Sequence, residues 1–313
     1  MPGFSILLTD GLEESGQAIL RSVARVDDRV GLSAADLLPV IDEYDALIVR
    51  GRTKVTAEVF EAARRLKVVG RAGVGVDNID LQAARAHAVT VVNAPLSTTL
   101  AVAELTFGLL LALCRDLPRA DAAMKRGEWL KKELEGAELY GKMLGIVGMG
   151  RIGAEVARRA VIFGMNVVGF DPFVPHEDIR QRGAKPVSLD ELYAASDFIS
   201  LHLPLTAETR SMVNEQAFGR MKRGVRLVCA ARGGIIDEAA LLSALESGQV
   251  AGAALDVFAV EPPGASDLVR HPRVVATPHI GAQTKEAQRR AAEDIASEVL
   301  AALQGASLRW QVA

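Results

Sequence analysis

Apolar residues along this chain fall in short runs separated by stretches of helical spacing. "SILLTD" (5–10) leads into a helical stretch that ends near residue 24. "DALIVRG" (45–51) precedes "TAEVFEAARRL" (56–66), "KVVGRAG" (67–73) precedes "NIDLQAARAHA" (78–88), and "VTVVNAP" (89–95) follows. Runs this short, rich in Val, Ile and Leu and without strict alternation, read as strands covered on both faces. Helices between them make the sheet parallel. A long apolar helix is expected over 99–114, then a polar arm over 126–142 anchored by Trp129, Leu130, Leu134 and Leu139. The alternation restarts with "MLGIVGMG" (143–150), "NVVGFD" (166–171), "DFISLHLP" (197–204), "VRLVCAARGG" (225–234) and "VAGAALDVF" (250–258), with one helix in each gap. "RVVATP" (273–278) and a last helix over about 284–304 close the chain.

The pattern predicts an α/β protein with two doubly wound parallel-sheet domains. One is expected over residues 1–97, completed by 284–313 because the second set of strands already has its helices. The other spans 98–283.

Composition narrows the function. Half of the 313 residues are hydrophobic, enough for two cores, and the net charge is −3. No basic field is available for nucleic acid or an anionic membrane surface. The most apolar stretch, 100–114, carries Glu104 and is too short to span a bilayer. The N-terminal "MPGFSILLTDGLEE" lacks the basic start of a signal peptide. The two cysteines, Cys114 and Cys229, sit in apolar runs and read as core thiols in a reducing, cytoplasmic setting. No His, Cys and carboxylate set has ligand spacing, so no metal is expected.

The chemistry begins at Gly148-x-Gly150-x-x-Gly153. The triplet follows a strand, opens a helix, and is followed by a second strand ending in Asp171, the context of a dinucleotide fingerprint. Gly148 is expected to make the tight turn, Gly150 to let the backbone approach a pyrophosphate, and Gly153 to let helix and strand pack closely. The helix start at Arg151 and Ile152 then offers amide N–H groups and partial positive charge to the phosphates. Asp171 would accept from the adenosine ribose hydroxyls and repel a 2′-phosphate. Pro172 and Phe173 follow it, with no arginine, which favours NAD over NADP.

Three further segments lie at C-terminal strand ends, the edge where open α/β sheets bind ligands. "CAARGG" places Arg232 there, "ALDVFAVEPP" places Asp256 and Glu261, and "TPHIG" places His279. His202, in "LHLP", reads as part of the cofactor wall, and His87, His176 and His271 read as surface positions.

Together with "GRAGVGVDNID" and "AELTFGLLLALCR", the motifs "GMGRIG", "FDP", "ARGGIIDE", "ALDVFAVEPP" and "PHIGAQTKEAQ" resemble those of the D-isomer-specific 2-hydroxyacid dehydrogenases over nearly the whole chain. The resemblance implies a Rossmann-like nucleotide domain inserted in a flavodoxin-like substrate domain. It implies NAD as cofactor and a small anionic 2-hydroxy or 2-oxo acid as substrate. 3-Phosphoglycerate with 3-phosphohydroxypyruvate comes first; glyoxylate, hydroxypyruvate and a sulfolactate-type acid are the competitors. Arg232 would hold the substrate carboxylate and polarise the carbonyl, and His279 would exchange the proton. Glu261 would hydrogen-bond His279 and stabilise the imidazolium. Asp256 would lie near the nicotinamide, and Gly281 and Ala282 would bind the cofactor. The backbone of Gly73, Val74 and Gly75 would receive the carboxylate. Arg50 and Arg71, with Arg52 beside them, would suit a phosphate or sulfonate tail.

The loop Asn93–Thr99 departs from the more polar stretch usual in the family, leaving Ser97 and Thr98 as its hydrogen-bonding groups. A homodimer through residues 99–142 is implied. So is a catalytic core without the C-terminal regulatory domain of longer members. The non-enzymatic alternative is an NAD(H)-sensing binding protein of the co-repressor kind.

Overall fold

The computed structural model describes residues 3–313. From the N-terminus the elements are β1 (Ser5–Leu8), α1 (Glu14–Arg21), β2 (Arg25–Asp28), α2 (Ala34–Leu37), β3 (Ala46–Val49), α3 (Ala57–Ala62), β4 (Val68–Arg71), α4 (Leu81–Ala86) and β5 (Thr90–Asn93). Two helices follow, α5 (Thr99–Cys114) and α6 (Leu117–Lys125). Then come β6 (Met143–Val147), α7 (Arg151–Ile162), β7 (Asn166–Phe170), α8 (His176–Gln181), β8 (Lys185–Pro186), α9 (Leu189–Ala195) and β9 (Phe198–Leu201). The chain ends with α10 (Glu215–Arg220), β10 (Val225–Cys229), α11 (Glu238–Glu246), β11 (Val250–Leu255), α12 (Asp267–Arg270), β12 (Val274–Ala276) and α13 (Lys285–Leu303).

These elements form two compact units. One comprises the residues up to Thr98 together with Ala282–Ala313; the other is Thr99–Gly281. In the first, a five-stranded parallel sheet has the order β2-β1-β3-β4-β5, the flavodoxin-like order. Its central strands β3 and β4 are buried through almost their whole length, which explains their unbroken apolar runs. The last helix, α13, turns Ala287, Ala291, Ala292, Ile295, Ala296, Val299 and Leu303 inward. Its small residues allow close approach, and Val299 and Ile295 pack over Gly70 of β4. Thr284 caps its N-terminus by accepting from Ala287 N at 3.1 Å.

The second unit holds a seven-stranded parallel sheet in the order β12-β11-β10-β9-β6-β7-β8. Strand order reverses between β6 and β9, and the crevice outside the carboxyl ends of that pair is where a dinucleotide belongs. Helix α5 has apolar residues all round, as a helix buried on most sides must. Among the described residues, no helix is long and apolar enough to cross a membrane.

Three expectations need correction. The gap between Asp171 and Asp197 holds two short helices and a strand, β8, rather than one helix. Gly183 at φ +90° ends the first helix turn, and Pro186 cannot sit in a helix interior. Between residues 24 and 45 lie β2 and α2, which the apolar pattern does not predict. β2 is the edge strand "RVDD", whose exposed outer side needs no apolar run. Helix α1 stops at Arg21 rather than near residue 24.

Candidate active site

The glycine loop of the second unit has the geometry that its spacing requires. Gly148 follows β6 at φ +95°, and a Cβ there would lie 2.3 Å from the His202 carbonyl oxygen. Gly153, the third residue of α7, packs on the same loop: its Cβ would lie 2.1 Å from the Gly148 oxygen. Gly150 caps α7, and a Cβ added to it would meet nothing within 4 Å. So two positions are closed by backbone and the third faces open space at a helix N-terminus, as a pyrophosphate cradle requires. Arg151 is exposed beside it, and Ile152 is half-buried.

Asp171 leaves the end of β7 and closes this loop. Its carboxylate accepts from Met149 N at 2.9 Å and from Phe173 N at 2.9 Å. Arg182, which no motif singled out, docks on the other side by donating to the Met149 carbonyl. With Asp171 fixed at the loop, we expect Asp171→Ala to weaken NAD binding and to narrow the preference over NADP. Titration of both cofactors checks this, and an unchanged ratio of the two dissociation constants removes Asp171 from cofactor choice.

Arg232, Glu261 and His279 follow β10, β11 and β12, which are neighbours in the sheet. His279 adopts φ +52°, a left-handed backbone rare for a residue with a side chain. It is held there from below. His279 N donates to the Asp256 carbonyl at 2.9 Å. The buried Asp256 carboxylate accepts from Thr277 Oγ1 at 2.6 Å, Ile280 N at 2.8 Å and Gly281 N at 2.8 Å. Asp256 is thus the anchor of the 277–281 turn.

The imidazole Nδ1 of His279 lies 2.7 Å from Glu261 Oε2. An ionised carboxylate only accepts, so Nδ1 carries the hydrogen, and Nε2 is the nitrogen left to exchange a proton with a ligand. Both side chains remain partly exposed. Glu261 is held in turn, its Oε1 accepting from Phe258 N at 3.1 Å.

The Arg232 turn and the Glu261 loop touch. A Cβ on Gly233 would lie 1.8 Å from the Phe258 carbonyl oxygen, so only glycine lets the two backbones meet. Glu238, at the start of α11, fixes the same loop by accepting from Ala259 N at 2.6 Å. Sequence spacing pointed to neither Gly233 nor Glu238 as a site residue; the signal lay in "ARGGIIDE", read there only for its arginine. The Arg232 guanidinium is pinned along one edge, Nη1 donating to the Ala231 carbonyl at 2.6 Å.

His202 sits just past β9, its Nε2 2.8 Å from Ser200 Oγ. Burial pushes its imidazole down to about 4, so it stays neutral near pH 7 and has no charge to give a reaction. Burial also pushes both thiols, Cys114 and Cys229, up to about 11. Among the described residues no group of His, Cys, Asp and Glu could hold a metal ion.

In the first unit, Arg50 follows β3 and Arg71 ends β4, adjacent strands of its sheet. Arg50 Nη2 donates to Gln283 Oε1 at 3.1 Å. The Arg71 guanidinium lies over Gly73, where a Cβ would fall 1.5 Å from its Nη1. Val74 and Gly75 are half-buried beside it. Arg52 is partly engaged elsewhere: its guanidinium donates to the Thr9 carbonyl at 2.6 Å and to Asp10. Ser97 is also no ligand donor. It is buried, and its hydroxyl donates to the Ala94 carbonyl at 2.8 Å; Thr98 is buried too. Ala282 and the α13 cap belong to this unit.

Comparison with known proteins gives the family of the chain. Residues 107–281 match the family described as D-isomer specific 2-hydroxyacid dehydrogenase, NAD binding domain. D-3-phosphoglycerate dehydrogenase 2 of Arabidopsis thaliana is 50% identical over 97% of this chain and 49% of its own length. The chain spans about half the length of the curated relatives it matches. Among solved structures, a glyoxylate reductase from Paecilomyes thermophila superposes with a TM-score of 0.92 at 34% identity, covering 100% of this chain and 99% of that one. A D-lactate dehydrogenase from Aquifex aeolicus, complexed with NAD and lactic acid, gives a TM-score of 0.86 at 32% identity over 96% of each chain.

Proposed function

The chain belongs to the D-isomer specific 2-hydroxyacid dehydrogenase family, and from that premise we propose that it interconverts a small D-2-hydroxy acid and its 2-oxo acid. The first choice of substrate pair is 3-phosphoglycerate and 3-phosphohydroxypyruvate. The observation that carries the reading is the Glu261–His279 pair on the strand edge beside Arg232, in the unit that bears the glycine cradle.

Bound NAD(H) supplies or accepts the hydride at the substrate C2. The protein does the rest. In reduction, Arg232 grips the carboxylate through its fork and draws charge toward the carbonyl oxygen. His279 Nε2 delivers a proton to that oxygen as the C–O double bond becomes a hydroxyl, while Glu261 holds Nδ1 and fixes the ring's orientation. In oxidation Nε2 takes the same proton back. From the first unit we assign the backbone of Gly73, Val74 and Gly75 to the carboxylate, and Arg50 and Arg71 to an anionic tail. That unit is thereby the substrate-binding domain.

Two adjacent arginines at strand ends favour a phosphorylated substrate over glyoxylate, which has no tail to hold. Steady-state rates across 3-phosphohydroxypyruvate, hydroxypyruvate, glyoxylate and pyruvate, with NADH and with NADPH, test the reading. The phosphorylated acid with NADH should give the highest kcat/KM. A preference for glyoxylate would replace the substrate assignment. NADH binding without turnover of any acid would make the chain a sensing protein instead.

We further propose a homodimer built on the α5 region and its arm, in a reducing cytoplasmic setting that suits two unbridged thiols. Support comes from large apolar side chains left exposed in the second unit: Leu100, Trp129, Tyr140, Ile162 and Phe163. Sedimentation equilibrium should return twice the chain mass; a monomer at micromolar concentration rejects the dimer.

A further inference from the structure

The loop that carries Arg50 is built by side chains that never appear in a motif. After β3, the backbone of residues 50–53 leaves the sheet and loses its ladder partners. Its N–H groups converge instead on one carboxylate. Asp10, just beyond β1, accepts from Arg50 N at 2.8 Å, Arg52 N at 3.2 Å and Thr53 N at 3.1 Å. It also accepts from Thr53 Oγ1 at 2.6 Å and Arg52 Nε at 3.4 Å. Burial alone would raise the Asp10 carboxyl, but the hydrogen bonds from Thr53 and Arg50 and the Arg52 charge outweigh it and hold it below the ordinary carboxylate value.

The same loop is tied from the other side through its carbonyls. Asn78 Nδ2 donates to the Arg50 carbonyl at 3.3 Å and to the Thr53 carbonyl at 2.7 Å. Asn78 itself ends the segment that begins at Gly73. That segment is gripped on its far side, where Asn93 Nδ2 donates to the Val74 carbonyl at 2.7 Å and Ala94 N to the Gly73 carbonyl at 2.8 Å. Side chains and backbone thus lace the loops after β1, β3, β4 and β5 into one rim at the C-terminal edge of the first sheet.

We propose that Asp10, with Asn78 and Asn93 extending its lattice, is the positioning residue that sets specificity for an anionic substrate tail by fixing the Arg50 loop against the Gly73–Gly75 loop. The proposal rests on the reading above in which Arg50 takes that tail. The chemistry at Asp10 needs a carboxylate. Several donors converge on two oxygens, and an asparagine would turn an N–H₂ toward them. With the loop held beforehand, Arg50 meets the tail without first paying to order its own backbone. Asp10 acts through Arg50, so it should move discrimination between substrates rather than chemistry.

The test measures kcat and KM for 3-phosphohydroxypyruvate and for hydroxypyruvate with NADH, in wild type, Asp10→Asn, Thr53→Val, Arg50→Ala and the Asp10→Asn/Arg50→Ala double variant. Asp10→Asn should cut the preference for the phosphorylated acid by about tenfold, about 1.4 kcal/mol, with the loss in KM rather than kcat. Thr53→Val keeps the side chain's shape, deletes one donor to Asp10, and should cut the preference less. If Asp10→Asn does not fold, Thr53→Val decides. The double variant should match Arg50→Ala alone, because the two residues act through one contact. Wild-type preference in both Asp10→Asn and Thr53→Val overturns the proposal while Arg50→Ala still loses it, and so does full additivity in the double variant. Wild-type preference in Arg50→Ala removes the tail reading itself, and the proposal with it.

Discussion

Replacing His279 with alanine lowers kcat by about two to four orders of magnitude, the span over which a positioned acid–base group accelerates proton transfer. The size of the effect follows from the role. At neutral pH water is a poor acid toward a carbonyl oxygen and a poor base toward a hydroxyl. In the proposed reaction the imidazole supplies both functions from one nitrogen, Nε2, since Glu261 holds Nδ1 at 2.7 Å. The left-handed backbone at His279 is fixed by the 277–281 turn, which the Asp256 carboxylate anchors. Glu261→Gln keeps a hydrogen bond but removes the charge that stabilises the imidazolium, so it should lose less than His279→Ala. Single-turnover rates with saturating NADH and 2-oxo acid check both. NADH affinity should survive in each variant, since neither residue forms the glycine cradle. Near-wild-type turnover in His279→Ala takes the histidine out of the chemistry.

The second large effect is expected at Arg232. Arg232→Lys keeps one positive charge but gives up the planar fork that matches a carboxylate. Each charge-assisted hydrogen bond contributes about 1.5–3 kcal/mol, so losing one lowers kcat/KM by roughly ten- to more than a hundredfold. Arg232→Ala loses the charge as well and should fall further. In the proposed reaction the guanidinium both binds the carboxylate and polarises the carbonyl, so KM should rise and kcat should fall together. A change confined to kcat would make Arg232 a bystander to binding. No change in either variant would place the carboxylate elsewhere.

How much of this was legible beforehand depended on the kind of interaction involved. β3, β4, β6, β9, β10 and β11 could be read from apolar runs because strands covered on both faces need little else. β2, with Arg25 and two aspartates among its four residues, lies at a sheet edge where that signal disappears. β8, two residues long, and α2 and α12, four residues each, are too short to show a period. The glycine cradle was legible because its function lies in local backbone geometry, which fixed spacing encodes. Arg232, Glu261 and His279 were found through strand ends and family resemblance, not through their contacts.

What escaped was the support behind these groups. Asp10, Asn78, Asn93, Arg182, Gly233 and Glu238 act on backbone far from them in sequence or across a turn. Asp10 binds residues 40 and 43 positions away. No spacing rule announces such a bond, since an aspartate after a strand is ordinarily a solvated charge or a cap. Ser97 and Thr98 mislead for the opposite reason, and Arg52 in part. Their donors looked available in sequence, and the fold had already used or buried them.

In the proposed reaction one arginine fork and one histidine nitrogen address the same small acid. A crystal structure of the complex with NADH and oxamate, an unreactive mimic of a 2-oxo acid, measures it directly. The account predicts the oxamate carboxylate on the Arg232 guanidinium and its carbonyl oxygen within about 3 Å of His279 Nε2. Oxamate bound away from either side chain, with the cofactor seated on Gly148–Gly153, would contradict it.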